Sequence, residues 1–508
     1  MITAGRVIPR SEAGEPSAEV TAHSSTQAPR VEWSGMWRAS ALYSVAGALG
    51  KVGALVTVPF VTRALGRSDY GLLDLATALV ALATMIGGFS AELPAARFAS
   101  AEPGRRRQVL ATYVSTVTLL SLVIAVSLAA AASFVAKSIW QAPDAAPLVV
   151  ISAGAIVLTA IQVASWNVHR LHARAGTYAV LSIIDMTLKV SLILVVVALG
   201  GRVSSIVIAY VAVAAVGAGL GLWTIRHDLG WPISRSLMPR LLAKGAPFTV
   251  TAVAFVVAGY GVRGIVAEAG STSAVGEMAI GLRVASVLAL PLAAFQFAWA
   301  PIGITADQSA SSRHAFFGSI FRLITVGGLA AVAVSALSPE VIGIVAGSEF
   351  SAGADAVSGL TMATVLNTAF FMVAVASSAA EMSMWAVAMT ALGGGALQVI
   401  ATATLATALP EMAAVSVGAA LGNAAALGTL LVLLRGHAVE HWRLIVAATG
   451  VAVAVTLIMQ VLLTSGAPPI VRWPVGLGAG ILMALLLARR ARSTTETQPE
   501  ASATPSQQ

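Results

Sequence analysis

Residues 59–100 read PFVTRALGRSDYGLLDLATALVALATMIGGFSAELPAARFAS. A polar turn at 66–70 separates the end of one apolar segment from a second apolar segment, 71–91, in which Asp74 carries the only charge. An apolar α-helix of about 20 residues is long enough to cross the hydrocarbon core of a bilayer. The stretch therefore predicts the end of one membrane-spanning helix, a short turn and a second spanning helix.

Apolar segments of this length follow one another along almost the whole chain. Each is roughly 18–28 residues long, and one of them contains Pro291, where we expect a kink. Their succession predicts an all-α polytopic membrane protein with about fourteen transmembrane helices. The predicted spans are 38–61, 71–93, 109–136, 147–167, 178–200, 204–225, 246–268, 275–303, 316–337, 355–377, 384–406, 413–434, 443–464 and 472–489.

The overall composition agrees with this prediction. Of the 508 residues, 57% are hydrophobic and 10% are charged, and the mean hydropathy is +0.87. A soluble domain carries roughly 25% charged residues, so an ordinary soluble enzyme is excluded. The absence of cysteine excludes structural disulfides, thiolate metal sites and a cysteine nucleophile. The seven histidines show no metal-ligand spacing, and we expect neither a metal nor a cofactor.

The distribution of Arg and Lys predicts the orientation of the helices. Cytoplasmic loops of membrane proteins are enriched in these residues. With the N-terminus inside, 20 of the 30 bases fall in inside segments, five fall outside and five fall within predicted helices. This ratio predicts a multi-pass protein with both termini in the cytoplasm. It also explains the net charge of +8 without a nucleic-acid partner.

A weak internal repeat divides the chain. RALGRSDYGLLDLATAL at 63–79 and AEAGSTSAVGEMAIGLRV at 267–284 each contain a helix end, a glycine, a polar turn, a second glycine and a new apolar helix. Two pseudo-symmetric six-helix lobes are typical of transporters, although glycine-flanked turns also recur in membrane proteins without a repeat. The predicted parts are a disordered cytoplasmic tail (1–37), an N-lobe (38–225), a cytoplasmic loop (226–245), a C-lobe (246–434), two C-terminal helices (435–489) and a second disordered tail (490–508).

Residues 59–100 also resemble the opening of the polysaccharide-biosynthesis membrane proteins, the oligosaccharide-lipid flippases of the multidrug/oligosaccharidyl-lipid/polysaccharide exporter superfamily. The resemblance consists of an Arg-x-Leu-Gly turn, a Tyr-Gly pair and an Arg-Phe-Ala helix end. The residues are Arg63, Leu65, Gly66, Tyr70, Gly71, Arg97, Phe98 and Ala99. Residues 275–304 resemble the first C-lobe hairpin of the family, and 344–353 is a looser match. The predicted helix count and loop sizes resemble those of the family over about residues 38–490.

The resemblance implies two lobes around a central cavity that opens alternately to the two sides of a bacterial cytoplasmic membrane. It implies that the substrate is a polyprenyl-diphosphate-linked oligosaccharide, moved from the inner to the outer leaflet for cell-surface polysaccharide biosynthesis. The implied partners are the lipid bilayer, this substrate, a coupling H⁺ or Na⁺, and other membrane proteins of polysaccharide assembly.

Three basic residues inside predicted helices are candidates for substrate binding. A charge deep in a bilayer costs about 2.5 kcal/mol or more, and so usually faces a wet cavity or a partner. Lys51 and Arg263 each lie on the first helix of a lobe, and Arg283 lies early in the eighth helix. Arg donates bidentate hydrogen bonds to phosphate, and Lys supplies a point charge. The alternative for Arg283 is an ion pair with Glu268 or Glu277. For Lys51 and Arg263 the alternative is a structural ion pair with a carboxylate. The Arg263 side chain could instead extend outward from the end of its helix to reach water.

Three further charges have two interpretations each. Asp185 and Lys189 are four residues apart in the order that favours an ion pair within one helix, or they form a proton- or cation-coupling site. Asp74 lies one turn into the second helix. It would either bind a coupling cation or pair with Lys51, or it is a hydrated carboxylate near the helix end.

The functional alternatives differ in the charges they require. A small-molecule, multidrug-type antiporter of the same superfamily would favour acidic cavity residues, whereas bases predominate here. Flipping of a lipid-linked peptidoglycan precursor remains open. An integral-membrane glycosyltransferase or polymerase usually needs a large outside loop or acidic residues in the first outside loop, which here offers only Asp69. The longest outside loop has roughly 17 residues, too few for a soluble catalytic domain. We therefore expect a flippase and not an enzyme.

Overall fold

The computed structural model describes residues 33–293, 295–296, 310–379, 383–434, 442–476 and 478. The secondary structure of these residues is helical, with no strand among them, which confirms the predicted all-α fold. The principal helices are α1 Trp33–Gly88, α2 Glu92–Ala101, α3 Arg106–Ala130, α4 Ala146–Leu171, α5 Ala175–Ala198, α6 Val203–Ile225, α7 Leu237–Ser286, α8 Ala310–Val345, α9 Ala354–Ala379, α10 Met384–Leu405, α11 Glu411–Leu433 and α12 Trp442–Thr464.

Eleven helices in the described part of the chain are long and apolar enough to cross a membrane, which confirms the multi-pass architecture. Two of them, α1 and α7, each consist of two helices joined at a kink. Helix α1 includes the predicted span 38–61 and most of 71–93, and α7 includes 246–268 and the first part of 275–303. The predicted span 472–489 lies mostly outside the described residues, as do the predicted tails 1–37 and 490–508. Helix α1 begins at Trp33, so the last residues of the predicted N-terminal tail are helical.

Each kink is a single residue with a positive φ angle. Gly66 has φ 69° and ψ −179°, and Ser271 has φ 68° and ψ −179°. Only glycine enters this backbone region at low cost, so Gly66 suits its position and Ser271 is strained. The two halves of the sequence repeat therefore share one backbone geometry, although the second kink is at Ser271 and not at the preceding glycine. Each predicted outside turn is reduced to one non-helical residue.

Two other boundaries differ from the sequence prediction. Helix α7 begins at Leu237, so the predicted loop 226–245 is shortened to 226–236. The expected kink at Pro291 is a break, because α7 ends at Ser286 and helical residues resume at 289. A proline ring clashes with the carbonyl group four residues earlier, here that of Val287, and this explains the place of the break.

The described residues form hydrophobic cores at two ends of the bundle. The kink end is the end that contains Gly66 and Ser271. There, α1–α6 (the first half) and α7–α11 (the second half) contribute to one shared core, to which belong Tyr70, Trp140, Val266, Ile280 and Phe350. Toward the opposite end, two separate cores are built largely from the first half and from the second half. The first turns of α7 pack on the first-half core through Leu241. The two halves are thus joined most extensively at the kink end.

An ion pair fixes two loops of the first half at the opposite end. Arg174 donates to both carboxylate oxygens of Asp228, at 2.6 and 3.0 Å, and His172 Nε2 lies 3.6 Å from the same carboxylate. Burial alone would raise the pKa of Asp228, but the Arg174 guanidinium and the histidines reverse this and hold the pKa below its ordinary value. The contact connects the α4–α5 turn to the segment that leads into α7.

Candidate functional site between the two halves

A buried ion pair joins the second limb of α1 (67–88) to the first limb of α7 (237–270). Arg263 Nε donates to Asp74 Oδ2 at 2.7 Å, and Arg263 Nη1 donates to the carbonyl oxygen of Gly259 at 3.0 Å. The side chains of Arg263 and Asp74 are only 11% and 9% exposed. Each lies eight residues, or about 12 Å of helix, from the kink of its own helix. The partner of Asp74 is therefore Arg263, and the Lys51 side chain lies outside the described residues.

Arg283, on the second limb of α7 (272–286), has an aromatic neighbour. Its guanidinium carbon lies 5.7 Å from the centroid of the Tyr70 ring, within the range of a cation–π interaction. Its Nε is buried and has no hydrogen-bond partner among the described residues. The ion pairs with Glu268 or Glu277 considered from the sequence do not form: Glu277 pairs with Arg67, and Glu268 is exposed. In the described part of the chain, Arg283 forms no ion pair with a carboxylate.

Tyr70 is held at the centre of the shared core. Its side chain is 2% exposed, and Phe350 packs against it edge-on at a centroid distance of 5.8 Å. The Tyr70 hydroxyl is buried without a hydrogen-bond partner in the described part of the chain. A buried hydroxyl usually has a partner, so an unpaired one is costly. The Tyr70 side chain thus lies against Arg283 within the shared core.

Polar contacts between the halves continue to the surface at the kink end. Arg67 Nη1 donates to Glu277 Oε1 at 2.8 Å, and the hydroxyl oxygens of Ser68 and Thr272 lie 2.7 Å apart. The side chains of Arg67 and Glu277 are 46% and 13% exposed. Ion pairs this open to solvent contribute roughly 0–1 kcal/mol. These contacts therefore align the two halves more than they hold them together.

Two glycines allow the backbones of the halves to touch at the same place. A Cβ on Gly71 would overlap the carbonyl oxygen of Thr272, and a Cβ on Gly276 would overlap the carbonyl oxygen of Arg67. The two contacts are reciprocal, because each glycine lies five residues after the kink of its own helix and meets the residue just after the other kink. The close approach of α1 and α7 thus requires glycine at both positions.

A tryptophan extends the interface beyond α1. Trp140 directly follows the short helical segment Val135–Ile139 between α3 and α4, and its indole Nε1 donates to the Tyr260 hydroxyl of α7 at 2.8 Å. The Trp140 side chain is fully buried in the shared core. Tyr260 precedes Arg263 by almost one helical turn. Along α7, the first half therefore makes contacts before Arg263, at Tyr260, and after it, at Thr272 and Glu277.

Asp185 and Lys189 form a separate polar group within the first half. Lys189 Nζ donates to Asp185 Oδ2 at 3.0 Å, and Gln162 Nε2 donates to Asp185 Oδ1 at 2.8 Å. Both carboxylate oxygens are thus satisfied by neighbouring side chains of α4 and α5. Close packing on Gly217 of α6 fixes the Gln162 amide.

The structure thus brings some of the sequence candidates together and separates others. Asp74, Arg263, Arg283 and the motif residues Tyr70 and Gly71 meet at the interface of the halves. Asp185 and Lys189 pair elsewhere. Among the other motif residues, Gly66 forms the kink, and Arg63 and Arg97 are exposed.

Several interface residues carry no local sequence signal. Glu277 and Arg67 are 210 positions apart, and Trp140 and Tyr260 are 120 apart. Only the internal repeat, in which residues 63–79 and 267–284 share one sequence pattern, gave a reason to compare the two turns. A search of the second turn for partners of the first would have found Glu277.

This arrangement is suited to binding an anion. Two arginines of the second half lie in the interface, where the low dielectric strengthens hydrogen bonds to charged groups. Asp74 neutralises Arg263, and the Tyr70 ring lies against Arg283. Both arginines thus contact side chains of the first half. Movement of the halves would change the access of an anion to both cations. No group of His, Asp or Glu residues in the described part could hold a metal ion.

Known proteins share this architecture. A family described as polysaccharide biosynthesis protein matches residues 36–302, more than half of the chain. The lipid II flippase MurJ in an inward closed conformation superposes with a TM-score of 0.66 at 11% identity, over 89% of this chain and 99% of that chain. A multidrug resistance MATE family transporter of the MOP superfamily superposes in its inward-facing form (TM-score 0.54, 14% identity, 85% of this chain and 96% of that chain). Its outward-facing form gives 0.56 at 16% identity, over 82% and 96%.

None of the curated proteins matches the chain significantly in sequence. At these low identities the superposed structures establish the fold, and the family match extends over both kinks and the whole candidate site. The chain belongs to the polysaccharide biosynthesis protein family, and its multi-pass helical fold is similar to that of the MurJ and MATE structures.

Proposed function

We propose that the protein is a flippase for a polyprenyl-diphosphate-linked oligosaccharide, which it moves from the inner to the outer leaflet of a bacterial cytoplasmic membrane. The observation that carries this proposal is the placement of Arg283 and Arg263 between the two halves. A diphosphate is a compact group of negative charge, and arginine binds phosphate oxygens through paired hydrogen bonds. A small-molecule cation exporter would instead need an excess of acidic groups, whereas two arginines, Arg263 and Arg283, lie beside the single carboxylate of Asp74.

Two six-helix lobes, 38–225 and 246–434, would move relative to each other in this mechanism. The count of Arg and Lys favours an orientation with the kink end outside and both termini inside. The shared core at the kink end would then close the outer side, and the separate cores would permit opening on the inner side. Transport would alternate between this arrangement and one in which the kink end is open.

The roles of the candidate residues follow from this scheme. Arg263 and Arg283, together with Lys51 on the first limb of α1, would neutralise the diphosphate while the polyprenyl tail stays in the lipid. Asp74 and Arg263 would form a pair in the state that is closed outside. Asp185 and Lys189 would form an internal pair that stabilises the N-lobe, or would respond to a coupling H⁺ or Na⁺.

Deletion and complementation test this function. In a host without a second flippase, deletion should reduce surface polysaccharide and leave the lipid-linked oligosaccharide on the inner leaflet. Complementation by the wild type should reverse both effects, whereas a Lys51→Ala/Arg263→Ala/Arg283→Gln variant should not. Arg105→Gln is a matched control, because Arg105 is an exposed arginine at the opposite end that pairs with Glu102.

The nature of the accumulated lipid also distinguishes the alternatives. Unchanged surface polysaccharide with no accumulated intermediate would contradict the proposal. Accumulation of a lipid-linked peptidoglycan precursor would assign that substrate instead, with the same use of the arginines. Full complementation by the triple variant, at wild-type expression, would refute the assignment of these residues to the substrate.

A further inference from the structure

Two side chains one helical turn apart on the second limb of α1 cover two arginines of α7, Arg263 and Arg283. Asp74 pairs with Arg263 at 2.7 Å, and Tyr70 lies under Arg283 at 5.7 Å from the guanidinium carbon to the ring centroid. Positions i and i+4 lie on the same face of a helix, so one surface of α1 supplies both contacts. The two arginines lie on different limbs of α7, on either side of Ser271.

We propose that an anionic diphosphate group opens the kink end by replacing Asp74 and Tyr70 at Arg263 and Arg283. The inference rests on the proposed function and specifies how binding and movement are linked. Both covering groups belong to the first half and both arginines to the second half. Separation of the halves at the kink end therefore uncovers both arginines in one movement.

The Asp74 carboxylate already shows the chemistry of the exchange. A carboxylate and a phosphate accept the same charge-assisted hydrogen bonds from a guanidinium group. If the halves parted without an anion, Asp74 and Arg263 would each lose the partner that neutralises it in the closed form, which opposes separation. A phosphate bound to Arg263 lowers this cost, because the arginine keeps an anionic partner after Asp74 leaves.

Binding and opening are then reciprocal. If an anion binds the open form more tightly than the closed form, it must shift the halves toward the open form. By the same linkage, any change that favours the open form must increase the affinity for the anion. Loss of the Asp74 charge should do this most, because it favours opening and also removes the group that competes for Arg263.

The surface ion pair between Arg67 and Glu277 provides a matched control. It also joins the two halves at the kink end, but its arginine comes from the first half and is 46% exposed. Glu277→Gln should therefore loosen the kink end without removing a competitor from Arg263 or Arg283. Asp74→Asn and Glu277→Gln remove one negative charge each at nearly constant volume.

The absence of cysteine makes the experiment direct, since introduced cysteines are the only thiols in the chain. Ser68→Cys with Thr272→Cys reports closure of the kink end, because the hydroxyl oxygens they replace lie 2.7 Å apart. The full-length protein in lipid nanodiscs would be titrated with inorganic pyrophosphate. Affinity would be measured by calorimetry on the cysteine-free chain, and closure by the rate of disulfide formation.

Pyrophosphate should slow disulfide formation in the protein with Asp74 and Arg263 intact. Asp74→Asn should bind pyrophosphate about tenfold more tightly than the wild type. Glu277→Gln loosens only a solvent-exposed pair and removes no competitor, so its gain in affinity should be clearly smaller. Arg263→Gln should lose the effect of pyrophosphate on disulfide formation. Asp74→Glu keeps a carboxylate at this position and should behave as the wild type.

Equal pyrophosphate affinities of Asp74→Asn and the wild type would overturn the proposal, and so would an equal gain in Glu277→Gln. If Asp74→Asn does not fold, the effect of pyrophosphate on the rate of disulfide formation, compared between the intact protein and Arg263→Gln, still tests the proposal. A rate that pyrophosphate leaves unchanged in the intact protein would overturn the exchange. This outcome is distinct from failure of the proposed function, because pyrophosphate carries neither sugar nor lipid and the deletion phenotype depends on both.

Discussion

Substitution of Gly71 by alanine should weaken closure of the kink end. A Cβ at Gly71 would overlap the Thr272 carbonyl oxygen and would lie 2.9 Å from the Gly276 backbone nitrogen, where ordinary contact begins at 3.4 Å. Both atoms belong to the backbone of α7 and cannot rotate away. The strain can be relieved only if the two halves move apart at this point, which favours the state in which the kink end is open.

The magnitude follows from the cost of overpacking. An added methyl group in a well-packed region costs about 1–3 kcal/mol, which corresponds to about a 5- to 150-fold change in the ratio of closed to open forms. Alanine also favours a helix over glycine by about 1 kcal/mol, but this gain is the same in both forms and cancels. Gly276→Ala should have a similar effect, because it makes the reciprocal contact with Arg67.

The rate of disulfide formation between Ser68→Cys and Thr272→Cys measures this change. On that background, Gly71→Ala should lower the rate about fivefold or more. Gly154→Ala is the control, because Gly154 lies within α4 and a Cβ there meets nothing within 4 Å. A Gly71→Ala protein that folds normally and forms the disulfide as fast as Gly154→Ala would refute the reasoning that the glycine contact limits closure.

Three further predictions concern stability and the first half. Ser271→Gly should raise the melting temperature in detergent, because relief of a strained backbone conformation is worth about 1–3 kcal/mol, whereas Gly66→Ala should lower it; equal shifts of the same sign would contradict this. Arg174→Ala should lower the melting temperature slightly at neutral pH, and the difference from wild type should vanish as the pH falls through the lowered pKa of Asp228. A difference that grows at acid pH would contradict the pairing. Lys189→Met should destabilise the protein more than Lys189→Met/Asp185→Leu, because the single change leaves the Asp185 carboxylate unpaired; melting curves in which the double variant is the weaker would count against this pairing.

The sequence predicted features that depend on local pattern. Spanning helices follow from runs of apolar residues, because the bilayer requires a minimum length, and the spacing of Asp185 and Lys189 is itself a local pattern. The exact kink residue was not predictable from the glycine pattern, because Ser271 accepts a conformation that its own preferences disfavour. The surrounding packing must compensate for that strain.

The pairing of charges across the halves depends on tertiary structure. Asp74 and Arg263 are 189 positions apart, and the sequence offered Lys51 as an equally reasonable partner. For Arg283, proximity in sequence offered Glu268 or Glu277 as an alternative partner to the substrate, whereas Glu277 pairs with Arg67. Which cation is paired and which is covered by an aromatic ring depends on how two distant helices face each other.

Alternating access at the kink end is tested most directly by transport through the cross-linked protein. Proteoliposomes that contain the Ser68→Cys/Thr272→Cys protein would be loaded with a fluorescent polyprenyl-diphosphate oligosaccharide, and its movement between leaflets would be measured before and after oxidation. We predict that oxidation stops flipping and that a reductant restores it, with no effect of either reagent on the cysteine-free wild type. Flipping at the same rate with the disulfide formed would contradict a mechanism in which the two halves part at Gly66 and Ser271.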